Sequence, residues 1–289
     1  GGTQTYIITQ KVLGSSGSKT YDANTDAIAA NFTLSGIVSG QTLNKSGTYT
    51  LSSPNAATYT ITNLESAISL SDGSGLASNY KLATGTHNFT VNKRVVNVSG
   101  TRLYNALNTA VASDLSTMTN LVGSETLVLS NSGTLANANV GSNKTVTIGT
   151  LSLGNGSNGG LAANYTLTGG THQLTVNQRP LNATLARQYD ATTTAAGSTL
   201  SSFNALQGGE TLTMTGSGTA ASANVANGIA MSSNGNLALA DGTGAASNYS
   251  LNSTVINISQ RVLNSSGSKT YDGNTNAVAS DVTLSNLAG

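Results

Sequence analysis

Apolar and polar residues alternate along most of the chain. Runs such as TLVLS (Thr126–Ser130), KTVTIGTLSL (Lys144–Leu153), YTLTGG (Tyr165–Gly170) and HQLTVNQ (His172–Gln178) carry Val, Leu, Ile and Thr at period two. That period sends alternate side chains to opposite faces, so these runs predict half-buried strands. Between them lie SDGSG (Ser71–Gly75), NGSNGG (Asn155–Gly160) and DGTG (Asp241–Gly244), residues that tolerate positive φ and read as turns. Alternation lapses at Ser113–Asn120, where a short helical turn is expected. The pattern predicts a mainly β chain with six to eight short strands in each unit of the repeat described next.

The same phrases return at a fixed interval. Tyr21 in SKTYDANTDA has counterparts at Tyr104, Tyr189 and Tyr271, spaced by 83, 85 and 82 residues. A second marker, ASNY or AANY, ends at Tyr80, Tyr165 and Tyr249, and a basic residue, Lys11, Arg94, Arg179 or Arg261, precedes each new unit. Three markers on one period define an array. Residues 1–11 read as the end of a preceding repeat, 12–94 as repeat 1, 95–179 as repeat 2, 180–261 as repeat 3 and 262–289 as the start of repeat 4. The chain is therefore expected to begin and end inside repeats. Repeat 4 matches repeat 1 at 17 of 25 aligned positions, which suggests a longer period of three units. At each junction a terminal strand leads into the next unit with no Gly/Ser-rich linker, which predicts a rod with limited bending. Three units would span on the order of 100 Å by the size relation for compact domains.

Composition narrows the class. Only 8% of the 289 residues are charged and the net charge is +1, so there is no clustered Lys and Arg for nucleic acid. No run reaches the roughly 18 apolar residues of a membrane span. The chain has no Cys and no Trp, three Phe and ten Tyr, seven of which stand at the two repeated positions. A Tyr at such a position reads as the anchor of a thin β-sandwich, with its polar tip left available. The lack of Cys, together with low charge and much Ser, Thr, Asn and Gly, suits an exported bacterial chain.

With YD[AG]xT, SNY and the TVN[KQ]R ending taken together, the units resemble YDG-type, MBG-like repeats of large bacterial filamentous-haemagglutinin-like surface adhesins. The resemblance spans essentially the whole chain, and repeat 2 departs from it at Tyr104-Asn105, where the motif's Asp is lost. It implies a tandem array of small β-sandwich or β-grasp-like domains in an extracellular, cell-surface stalk, and no catalysis. A parallel β-helix is the alternative architecture, since 84 residues approach four coils, but no consistent sub-period supports it. The expected function is spacing and display in attachment or in a biofilm matrix. The expected partners are neighbouring repeats, other copies in a bundle, or matrix polysaccharide. Direct carbohydrate binding by each repeat is the alternative, and it needs exposed tyrosines.

Candidate chemistry is sparse. His87 and His172 occupy equivalent GTH positions that read as surface strand sites, and repeat 3 lacks the residue. Glu125 and Glu210 share an ETL phrase in which repeat 1 carries Gln41, so a catalytic acid or base is excluded and a turn or strand start expected. No nucleophile elbow or triad spacing occurs, and the chain is expected not to be an enzyme and to need no cofactor. Calcium is the one metal candidate. Asp22, Asn24 and Asp26 have D-x-N-x-D spacing and Asp272 begins a weaker copy, yet the Gly and distal Glu of a calcium loop are missing. Lys11, Arg94, Arg179 and Arg261 are candidates to brace the junctions.

Overall fold

The computed structural model describes residues 2–288. All regular structure is strand or three-residue 3-10 turn, so the chain is all-β. It divides into two compact units, the first comprising residues 1–100, 109–135 and 145–174, the second residues 101–108, 136–144 and 175–289.

In the first unit, repeat 1 contains β1 (Lys11–Val12), β2 (Gly14–Thr20), β3 (Asp26–Ile28), β4 (Phe32–Ser35), β5 (Leu43–Thr50), β6 (Thr58–Ile61), β7 (Ile68–Asp72), β8 (Tyr80–Lys81) and β9 (His87–Asn92). One sheet has the order β4-β2-β9-β6 and the other β3-β5-β7. β2 and β9 run parallel, with Ser15 opposite His87 and Thr20 opposite Asn92, while β4 and β6 flank them antiparallel. A separate parallel pair joins β1 to β8. Alternation in HNFTVN buries His87, Phe89 and Val91 and leaves the intervening side chains facing out. These meet Leu13, Phe32, Ile61, Leu64 and Ile68 in the core, where the Phe32 and Phe89 rings lie 5.0 Å apart. Gly17 is needed at the crossing: a Cβ there would stand 2.7 Å from both the Asn31 carbonyl and the Phe89 ring.

In the second unit, repeat 3 builds a six-stranded sheet around the parallel pair Arg179–Gln188 and Tyr249–Ser259. Its core gathers Leu185, Ala195, Met214, Ile256 and Ile258. Strands Leu212–Thr215 and Ala238–Asp241 pair antiparallel, as do Asn264–Gly267 and Val282–Ser285 in repeat 4.

In the larger sheets the described pairing is mostly antiparallel around a central parallel pair, with short parallel pairs such as β1 with β8 beside them, which suits sandwich-like domains and not stacked β-helix coils. The helical turn expected at Ser113–Asn120 is only Ala112–Asp114, and Thr117–Thr119 is a strand. The junction strand breaks at each described junction: Lys93 separates His87–Asn92 from Arg94–Val95, Gln178 separates His172–Asn177 from Arg179–Gln188, and residues 260–263 separate Tyr249–Ser259 from Asn264–Gly267, a correction to the expected continuous strand.

Candidate functional site

The two tyrosine markers stand at opposite ends of a repeat. Because β8 pairs with β1, Tyr80 lies at the end where the chain enters. β2 then crosses the repeat and delivers Tyr21 to the exit end, where its N–H donates to the Asn92 carbonyl at 2.9 Å. A marker from one repeat can therefore meet a marker from the next.

Within the first unit this meeting occurs. Tyr21 donates its hydroxyl to Glu125 Oε1 at 2.8 Å, and Tyr165 donates to Glu125 Oε2 at 2.6 Å. The two rings meet edge to face with centroids 5.4 Å apart. Asn164, fully buried at the end of a 3-10 turn, accepts the Ala56 N–H at 2.8 Å and donates to Asn55 Oδ1 at 3.0 Å. The second unit repeats this set. Tyr104 and Tyr249 donate to the two oxygens of Glu210, each at 2.6 Å, with ring centroids 5.3 Å apart. Asn248 accepts the Val140 N–H at 3.0 Å and donates to Asn139 Oδ1 at 3.1 Å. Each junction thus joins a Tyr and an Asn-containing loop of one repeat to a Glu, an Asn and a Tyr of the next.

All four of these tyrosines are buried, Tyr21 and Tyr104 to 3% exposure and Tyr165 and Tyr249 to 2%. Burial first, and then the hydrogen bond to Glu125, push the Tyr165 phenol up to about 12. Tyr249 is likewise pushed up to about 12 by burial and by Glu210. Tyr21 and Tyr104 shift upward for the same reasons. The site keeps its phenols neutral, as donors to a carboxylate, which is a charge-assisted arrangement.

The tyrosines therefore anchor junctions more than sandwich interiors, a correction to the sequence expectation. Tyr80 is buried and donates to Gln41, while its oxygen accepts the Val38 N–H at 3.2 Å. Tyr189 is half-buried against the repeat 3 core, and Tyr271 is 90% exposed. The glutamates were expected only as turn or strand-start residues. Their signal was present in the recurrent ETL phrase and in its replacement by Gln, which preserves an acceptor but not a base.

The basic markers act through carbonyls. Arg94 donates to the Asn120 carbonyl at 2.8 Å and to the Tyr21 carbonyl at 3.4 Å. Arg179 donates to the Tyr104 carbonyl at 2.6 Å, and Arg261 to the Asn286 and Tyr189 carbonyls at 2.7 and 3.5 Å. Lys11 has an exposed side chain, and its backbone pairs with Tyr80.

At Asp22, Asn24, Asp26 and Asp272, the weak calcium candidates of the sequence, the chain supplies a cation of its own. Lys19 Nζ, on a side chain only 8% exposed, donates to Asp22 Oδ1 at 2.9 Å and to the Asn24 carbonyl. Asp26 contributes its N–H, which Asn24 Oδ1 accepts at 2.6 Å. Lys269 fills the copy in repeat 4, donating to Asp272 and Asn274 side chains at 2.9 Å each and to the Asn276 carbonyl at 2.8 Å. That ammonium, and then the Asn274 N–H, hold the Asp272 carboxyl below its ordinary value. Arg187 serves Asp190 and the Thr192 carbonyl, and Arg102 serves the Leu107 carbonyl. A basic residue two positions before each motif tyrosine was the signal for this cradle. Among the described residues no group of three or more acidic or histidine side chains could hold a metal ion.

The histidines are buried, contrary to the expected surface strand position. His87 is 2% exposed, its Nε2 lies 2.8 Å from the Leu82 carbonyl and its Nδ1 2.9 Å from Ser15 Oγ. A carbonyl can only accept, so Nε2 carries the proton and the serine donates to Nδ1. His172 makes the same bond to the Leu167 carbonyl at 2.8 Å. Both side chains fasten a turn to the core.

Among known proteins, a family model for the YDG domain matches residues 90–173 and again 172–256. No curated protein and no solved structure matches the chain. Each matched stretch contains one motif tyrosine (Tyr104 or Tyr189) and one Glu–Asn–Tyr set of a junction. With both matches together covering more than half of its length, the chain belongs to the YDG domain family.

Proposed function

We propose that this chain is a spacer segment of a secreted bacterial surface protein of the adhesin type, working by holding other parts of the molecule at a distance. The observation that supports this most is the junction. The same Tyr–Glu–Tyr–Asn set is built twice, from positions that recur once per repeat, with Gln41 in the glutamate's place in repeat 1, so the residues that mark the repeat are spent on joining neighbours. A spacer needs its units held in a reproducible relation, and buried, directional hydrogen bonds supply that where apolar contact alone would not. Low net charge lets such chains pack side by side or against polysaccharide without strong repulsion.

The alternative, sugar binding by each repeat, needs exposed aromatic platforms. The junction tyrosines are buried and hydrogen-bonded, which removes the platform that reading relies on. Small-angle scattering on the full chain, with and without a calcium chelator, tests the proposal. An extended particle with a maximum dimension on the order of 100 Å, unchanged by chelation, is the expected result. A compact particle, or collapse when calcium is removed, overturns it.

A further inference from the structure

In each junction two phenols point at one carboxylate. Tyr21 and Tyr165 occupy the two oxygens of Glu125, and Tyr104 and Tyr249 those of Glu210. The ring centroids are only 5.4 and 5.3 Å apart, at interplanar angles of 76° and 78°. The hydroxyl ends of both rings therefore converge on one carboxylate. Removing one electron from a phenol makes it a strong acid, and a hydrogen-bonded carboxylate takes the proton as the electron leaves. The resulting phenoxyl radical carries spin on its ortho carbons, where two such radicals couple.

We propose that each junction is a site of oxidative tyrosine cross-linking, at which a one-electron oxidant, of the peroxidase or photo-oxidised metal-complex class, joins Tyr21 to Tyr165 and Tyr104 to Tyr249 as dityrosine. Each phenol gives one electron to the oxidant and its hydroxyl proton to the glutamate. Glu125 and Glu210 are half-buried and pass the protons on to solvent in turn. One carbon–carbon bond forms between ortho carbons. The two ring hydrogens leave as protons, and the two phenol oxygens each regain one. The net change per pair is the loss of two electrons and two protons, with two oxidant equivalents reduced. The product ties one repeat covalently to the next across a junction that is otherwise held by hydrogen bonds and ring contact. The chemistry rests on the junction geometry and not on the spacer reading.

The test is brief irradiation of the full chain, at low protein concentration, with a ruthenium tris-bipyridine complex and persulfate, followed by digestion and mass spectrometry of the monomer. The expected products are Tyr21–Tyr165 and Tyr104–Tyr249 linked peptides, each lighter by two hydrogens than its parts. In Glu125→Gln the first product falls several-fold while the second is unchanged, and unchanged slow exchange of the strand amides of residues 87–92 shows that the first unit is still folded. Cross-links confined to Tyr6 and Tyr271, which are 94% and 90% exposed, would overturn the proposal. An undiminished Tyr21–Tyr165 yield in Glu125→Gln overturns the carboxylate's part in it.

Discussion

At Glu210 a single carboxylate accepts from two phenols, and each oxygen is matched to a donor. Glu210→Gln leaves one acceptor oxygen and places an amide N–H₂ at the other hydroxyl, whose proton then loses its acceptor. An unsatisfied buried polar group costs about 1–3 kcal/mol, and the loss is read as a lower denaturation midpoint in urea. Gln41 shows why Gln serves elsewhere: there the amide oxygen accepts from Tyr80. The phenols also set an alkaline limit. Their folded pKa values lie above the ordinary 10, so their stabilisation is complete below pH 10 and is lost as pH rises toward about 12. A melting temperature that is level up to about pH 10 and falls beyond it, with the junction tyrosines the last to titrate, is the expected outcome. A third residue-level expectation concerns the turn after each motif Asp or Asn. Ala23, Ala106 and Ala191 sit there at φ of 60°, 61° and 63°, where repeat 4 has Gly273 at 84°. Left-handed backbone costs a residue with a Cβ roughly 1–2 kcal/mol, partly offset by the greater unfolded freedom of Gly. Ala191→Gly is therefore expected to stabilise by up to about 1 kcal/mol, measurable by urea denaturation.

At the scale of elements, the strands were legible because they are local. Alternation in HNFTVN states which side chains face inward, and repeat 1 carries eight strands from β2 to β9 besides the two-residue β1 that straddles its first boundary, at or just above the expected number. The Gly clusters marked turns for the same reason. What remained hidden was pairing across long separations. Tyr21 and Glu125 are 104 residues apart, and each looks like a mark of its own repeat until both ends of the sandwich are placed. The cation cradle was missed for another reason: a D-x-N-x-D pattern describes acceptors and says nothing about which cation they face, and here Lys19 stands within reach. Placement also grades the tyrosines. Tyr104→Ala opens a completed junction and is expected to cost about 3–5 kcal/mol, the range for deleting a buried aromatic. Tyr189→Ala, at a half-buried position, is expected to cost less, as parallel urea denaturation curves of the two variants should show.

At the scale of the whole molecule, the residues that mark the repeat in sequence are the residues that join repeats in space. Three backbone amides report on this directly. The Ala56 and Val140 N–H groups lie in loops, yet each donates to an Asn side chain of the following repeat, Asn164 and Asn248. Val225 holds the equivalent loop position in repeat 3 and is 46% exposed, with no such partner among the described residues. Amide hydrogen exchange on the full chain separates them within one experiment. Slow exchange at Ala56 and Val140, fast exchange at Val225, and loss of protection at Ala56 alone in Asn164→Ala are the expected results. Equally fast exchange at all three amides would contradict the claim.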